Sequence, residues 1–317
     1  MGLTRNQVVI VAILLAGATL VVLNQTLLSP AYPSIMADLQ VDATTVQWLT
    51  SAYSLVEAIV IPLSAFLIGR FPTRKLFIAG ISVFALGSLM AAFSPFFGIL
   101  LLGRIFQATA TGVVMPMVFT VILLVFPREK RGSAMGIVSL VIGFAPAVGP
   151  SLSGLLVESV GWRSLFMLVT ALAVLIVISA VAFLKNYGEF EPTSFDKPSV
   201  ALCSLGLLGL LYGLATITSA TNVAIPIALI IVGAVLLAFF VRRQLKLEVP
   251  LLKVDVLKSR AYAIVVVLVA LLQAALVGTG VLLPIYLQNL LGVSALETGL
   301  IMLPGAVLGA IMGFFAG

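Results

Sequence analysis

Residues 97–126 read FGILLLGRIFQATATGVVMPMVFTVILLVF, an apolar run that carries one charge, Arg104. A hydrocarbon core about 30 Å thick is crossed by roughly 20 such residues in an α-helix, so this run is long enough to span it. Nine further runs of the same kind lie to either side, separated by charged or Pro/Gly-rich breaks. They fall at about 8–28, 46–68, 76–93, 133–157, 164–184, 199–220, 223–241, 261–288 and 298–315. The chain as a whole agrees: 62% of its 317 residues are hydrophobic and 9% charged, with a mean hydropathy of +1.28. A soluble domain is roughly half apolar and about a quarter charged, so the excess apolar surface must face lipid. The expected fold class is an all-α polytopic membrane protein with about ten transmembrane helices.

Composition also excludes chemistry. No histidine is present, which removes His-based acid/base catalysis, His metal sites and the Ser-His-Asp triad together. Neither H-E-x-x-H nor G-x-S-x-G occurs, so an enzyme is not expected, nor a metal or organic cofactor. Cys203, the single cysteine, stands in an apolar run and forms no intrachain disulfide. The net charge of +6 is spread thinly between hydrophobic runs, which does not suit a nucleic-acid partner. Its placement is informative instead. With the N-terminus in the cytoplasm, every basic residue falls in a cytoplasmic segment except Arg104, inside a span, and Arg163, at an outer helix end. Two cytoplasmic segments are long enough to be linkers, 185–198 and 242–260. The second interleaves basic and apolar residues as a helix lying on an anionic leaflet does. The expected organisation is a six-helix bundle over 1–184, two linkers with two inserted helices over 185–260, and the start of a second bundle over 261–317.

An ionisable side chain inside the bilayer costs about 2.5–3.5 kcal/mol on insertion scales, which makes it a functional candidate. Glu57 lies mid-span, and Thr50, Tyr53, Ser54, Glu57 and Ser64 recur at helical spacing, a polar stripe expected to line a wet cavity. Arg104 has Gln107 and Thr111 at i+3 and i+7. A buried guanidinium stays charged and needs a partner, and the deep acid is Glu57. A Glu57–Arg104 pair is expected, either as a proton-coupling device or as a lock between two helices. Asn24 and Gln25 add neutral polarity to the first span. In the fifth, Gly143, Pro146, Gly149, Pro150 and Gly154 make a bent helix with a small face, suited either to a gate or to tight packing.

These residues resemble the drug:proton antiporters of the major facilitator superfamily, in particular the fourteen-helix branch that includes multidrug and lincosamide exporters. LNQTLLSPAYP (23–33) is similar to the family's L-D-x-T-I-V-N-V-A-L-P, with Asn24 in place of Asp, which throws more weight onto Glu57. LIGRFPTRK (67–75) is similar to the cytoplasmic signature L-a-D-r-x-G-r-k. It keeps the basic Arg70, Arg74 and Lys75 but has Gly69 for the acid and Pro72 for the second Gly. GRIFQ (103–107) matches the helix-4 motif whose Arg is implicated in proton coupling, and GPSLSG (149–154) resembles the helix-5 motif of antiporters. GWRSLF (161–166) adds to the likeness, as do Tyr286, Leu287 and Gln288 with Gly292, Glu297 and Pro304.

The resemblance implies a proton-coupled exporter of hydrophobic drugs or antibiotics, working by alternating access. It implies a monomer in the cytoplasmic membrane of a bacterium, driven by the proton gradient without a cofactor. Candidate substrate contacts are Asn24, Gln107, Met115, Gln273 and Gln288. The family pattern also implies that about four helices beyond the tenth are missing here. Export of an endogenous lipid or metabolite on the same scaffold, and a non-transporting scaffold or regulator, remain open alternatives.

Overall fold

The computed structural model describes residues 5–186, 196–217, 220, 222–247 and 250–316, all helical or irregular, with no strand among them. Each apolar run becomes a helix: α1 (Arg5–Thr26), α3 (Ala43–Arg70), α4 (Thr73–Ala92), α5 (Phe97–Val125), α6 (Arg131–Ser159), α7 (Arg163–Phe183), α8 (Lys197–Thr216), α9 (Ala224–Gln244), α10 (Arg260–Ile285) and α11 (Ala295–Ala316). One short helix, α2 (Tyr32–Leu39), follows α1 after a 3₁₀ turn at Ser29–Ala31. Pro30 and Pro33 open these two elements, where a missing N–H costs nothing. Gln40 then ends α2 in the left-handed conformation (φ 53°), and Asp42 caps α3 by accepting from the Thr45 N–H at 2.7 Å.

Among the described residues, eight helices are long and apolar enough to cross a membrane. The other two long helices, α6 and α11, have 29 and 22 residues; their side chains are described only in part. At 1.5 Å per residue both exceed the thickness of the hydrocarbon core.

Helix α5 is central and packs on α3 and α4, α4 packs on α7, and α1 lies against α5, α6 and α7. Leu14, Phe77, Ile81, Phe84, Met117 and Phe166 fill the space between them. The outer faces keep large apolar side chains exposed, such as Leu175, Ile178 and Phe183 on α7 and Val232 and Val235 on α9. Such surface is untenable in water and natural against lipid. Helices α8 and α9 pair with each other and α8 leans on α3, while α11 lies along α6. Helix α10 has most of its described side chains exposed.

Two expectations about linkers meet the structure differently. Residues 187–195, most of the first, lie outside the described residues. The second is not one surface helix: its start belongs to α9, which runs to Gln244, and a separate 3₁₀ turn covers Val254–Lys258. Pro250, without an N–H, stands between the two.

Candidate functional site

The stripe on α5 is buried: Arg104 is 1% exposed, and Gln107 and Thr111 are fully enclosed. Arg104 Nη1 donates to Gln107 Oε1 at 2.7 Å, its Nε donates to the Leu49 carbonyl of α3 at 3.2 Å, and the guanidinium sits 4.2 Å from the centroid of the Tyr53 ring. Charge-assisted hydrogen bonds and an aromatic face are what a buried guanidinium requires in place of water. Gln107 is the junction. Its Oε1 also accepts from Asn24 Nδ2 of α1 at 3.2 Å, and its Nε2 donates to Ser88 Oγ of α4 at 2.8 Å. One turn on, the hydroxyls of Thr111 and Tyr53 are hydrogen-bonded at 2.5 Å. Four helices, α1, α3, α4 and α5, are thus tied together around the α5 stripe that helical spacing placed on an inward face.

Glu57 stands elsewhere. It is half-buried at the middle of α3 and accepts a hydrogen bond from Gln25 Nε2 of α1 at 3.2 Å. The expected ion pair with Arg104 is not formed. The described residues hold three ion pairs, Asp38–Arg163, Asp196–Arg243 and Asp255–Lys258, all near helix ends. The reason is register. Helices α3 and α5 run in the same direction, so Arg104 meets Leu49 and Tyr53, whereas Gly112 is the α5 residue against Glu57 and Val60. Eight residues at 1.5 Å, about 12 Å, separate Arg104 from the level of Glu57.

On α6 the small residues pack. A Cβ on Gly149 would collide with Thr26 Oγ1, and Ser153 Oγ donates to the Leu27 carbonyl at 2.6 Å, so α1 presses directly on this helix. On another side, Gly299 of α11 meets the backbone of Pro150 and Ser151. Gly149, Pro150 and Gly154 are buried and Gly143 half-buried, while the side chain of Pro146 lies outside the described residues.

At the short break between α3 and α4, Arg70, the last residue of α3, stacks on Phe66 at 5.6 Å, and Arg74 Nη2, in the first turn of α4, donates to the Val181 carbonyl of α7 at 2.5 Å. Lys75 is exposed. Of the candidate substrate contacts, Asn24 and Gln107 are joined, and Met115 packs at the edge of the same core. Gln273 is exposed on α10, away from them. Gln288 lies in a π-helical turn, Tyr286–Leu290, with its Nε2 buried and unpartnered among the described residues, as is Ser151 Oγ. Ser88 and the Leu49 carbonyl were not foreseen: a serine among small residues reads as packing, and a backbone carbonyl has no sequence signal.

Long lipid-facing helices around an inward line of charged and amide side chains define a multi-pass membrane protein. Residues 14–317 match the family model described as Major Facilitator Superfamily, and the chain belongs to that superfamily. It is 45% identical over 312 residues to an uncharacterized MFS-type transporter, YcnB, of Bacillus subtilis, covering 98% of this chain and 66% of that protein. It is 37% identical over 309 residues to the lincomycin resistance protein LmrB of Listeria monocytogenes, covering 97% and 66%. The chain therefore spans about two thirds of the length of these curated relatives. Its structure is similar to the POT family transporter PepTSo, with a TM-score of 0.53 at 16% identity over 73% of this chain and 51% of that one, a likeness of fold.

Proposed function

We propose that the chain belongs to a proton-coupled exporter of amphiphilic drugs or antibiotics, of the fourteen-helix branch, acting as a monomer in a bacterial cell membrane with its N-terminus in the cytoplasm. The observation that carries this reading is Glu57: a carboxylate at the middle of a spanning helix, held by the neutral amide of Gln25 and in an ion pair with no cation among the described residues. The negative charge of a carboxylate there is removed by taking a proton or balanced by pairing with a cationic amphiphile. Those two events exclude each other, which is the requirement for exchange. Arg104 supplies a fixed positive field from its own hydrogen-bonded seat rather than a bond that makes and breaks. Alternating access moves the bundle formed by 1–184 against the bundle that 261–317 begins, with 185–260 between them. The name of the lincomycin resistance relative supports an amphiphilic antibiotic as cargo.

Flux of a fluorescent amphiphilic cation in proteoliposomes under an imposed pH gradient tests the reading. The gradient is expected to drive flux in the native chain, and Glu57→Gln, close in shape and never charged, is expected to abolish that drive and to weaken binding of the cation. Equal gradient-driven flux in both would place the proton site elsewhere.

A further inference from the structure

A cleft of about 410 Å³ opens between α8 and α9, lined by Leu202, Phe239, Arg242, Arg243, Lys246 and Leu247. It is distinct from the polar junction around Gln107, and its chemistry divides in two. Three cations gather where α9 ends, and apolar side chains lie below them toward the helix interior. Asp196 engages one cation, accepting from Arg243 Nε at 2.9 Å and Nη2 at 2.8 Å. Arg242 and Lys246, four residues apart along the chain, are exposed and form no ion pair with a described acid. The wall is built rather than loose: Gln244 is buried, donates to Ser199 Oγ at 2.6 Å and accepts from the Leu252 N–H at 3.1 Å. Below the cations, Phe239 is 55% exposed and continues into the lipid-facing side chains Val232 and Val235 of α9.

A ligand that satisfies both halves carries a negative head at the end of the helix and a hydrocarbon chain along it. A small soluble anion would use the cations and leave the apolar side chains idle. Basic pockets between helices at the membrane surface bind anionic headgroups for this reason, by charge attraction with the chain already in lipid. We propose that this cleft binds the phosphodiester of an anionic phospholipid, with Arg242 and Lys246 on the head and an acyl chain against Leu202 and Phe239. The inference does not depend on what the protein transports.

Native mass spectrometry of the detergent-solubilised chain, titrated with dioleoylphosphatidylglycerol or dioleoylphosphatidylcholine, tests it. Phosphatidylglycerol is expected to be retained in preference, and Arg242→Gln/Lys246→Gln to weaken its retention about thirtyfold, near fivefold per cation. A charge-matched control, Lys253→Gln/Lys258→Gln, is expected to retain it as the native chain does. Equal retention of phosphatidylcholine, an unaffected R242Q/K246Q variant, or equal loss in the control would overturn the site. Displacement of the lipid by glycerol phosphate or inorganic phosphate at the same concentrations would overturn the lipid in favour of a free anion.

Discussion

Gln107 carries more of the structure than its neutral side chain suggests. Its carbonyl oxygen takes bonds from Arg104 and Asn24, and its amide reaches Ser88, all in the dry centre of the bundle. Gln107→Leu would leave the guanidinium without its shortest acceptor, and a hydrogen bond to a buried charge is worth about 1.5–3 kcal/mol. The variant is expected to lose about that much stability in detergent unfolding, and adding Arg104→Met is expected to return part of it, since the stranded charge is then gone. Charge at the membrane surface behaves differently. Asp196 lies just outside α8, and its hydrogen bonds with Arg243 hold its carboxyl below the usual carboxylate range, against a smaller opposing effect of desolvation. A folded value below the unfolded one, about 3.9, means the pair stabilises the protein above that pH and ceases to do so as pH falls through the lower folded value. Asp196→Asn is therefore expected to lower the melting temperature at pH 7, with the difference from the native chain shrinking below about pH 4. At this scale the sequence was legible in part. Spacing put Arg104, Gln107 and Thr111 on one inward face and Glu57 on another, but period reports a face and not a level. The shared direction of α3 and α5, which sets Gly112 rather than Arg104 beside Glu57, is a tertiary fact.

Among the helices, what packs and what faces lipid follows from where a Cβ fits. A Cβ on Gly233 of α9 would collide with the Leu210 amide nitrogen of α8, a backbone atom that cannot rotate aside. A Cβ on Gly278 of α10 would meet no described atom within 4 Å beyond its own stretch of helix. Gly233→Ala is expected to push α8 from α9 at a cost of about 1–3 kcal/mol. Gly278→Ala is expected to add about 0.5–1 kcal/mol by removing a flexible residue from a helix interior. Melting temperatures of the two variants against the native chain check both signs. The ten apolar runs announced ten helices because each is about as long as the hydrocarbon core is thick or longer, a demand the bilayer makes on composition directly. The short α2 was not announced. Eight residues ending in a left-handed Gln40 follow from two prolines and a local turn, and their hydropathy merges with that of α1. The residues after Arg242 misled for the converse reason: interleaved basic and apolar residues suit a surface helix, but Pro250 divides them, and the cations close a cleft with α8 instead.

For the whole molecule, the decisive contact is α6 held between two partners. On one side Thr26 of α1 fits against Gly149, within the first group of helices; on another, Gly299 of α11 touches the backbone of Pro150 and Ser151. Sequence reading offered the glycines and prolines of α6 as either a gate or tight packing. The geometry makes packing plain, yet a contact can be tight and still be the one that alternates, provided it is tight in one facing state and not in the other. Gly299→Val separates these cases. A Cβ at that position would stand 2.6 Å from Ser151 Cα and nitrogen, an overpacking worth about 1–3 kcal/mol. Placed on one of two states of nearly equal energy, it shifts their ratio about tenfold, because each 1.4 kcal/mol is a factor of ten. If α6 and α11 part during the cycle, Gly299→Val is expected to slow gradient-driven dye flux in proteoliposomes about tenfold, while the junction at Gln107, which α11 does not enter, keeps α1, α3, α4 and α5 assembled. Flux that is unchanged, in a variant still retained in the membrane, would mean that α6 and α11 move as one body and that the sliding surface lies on other helices.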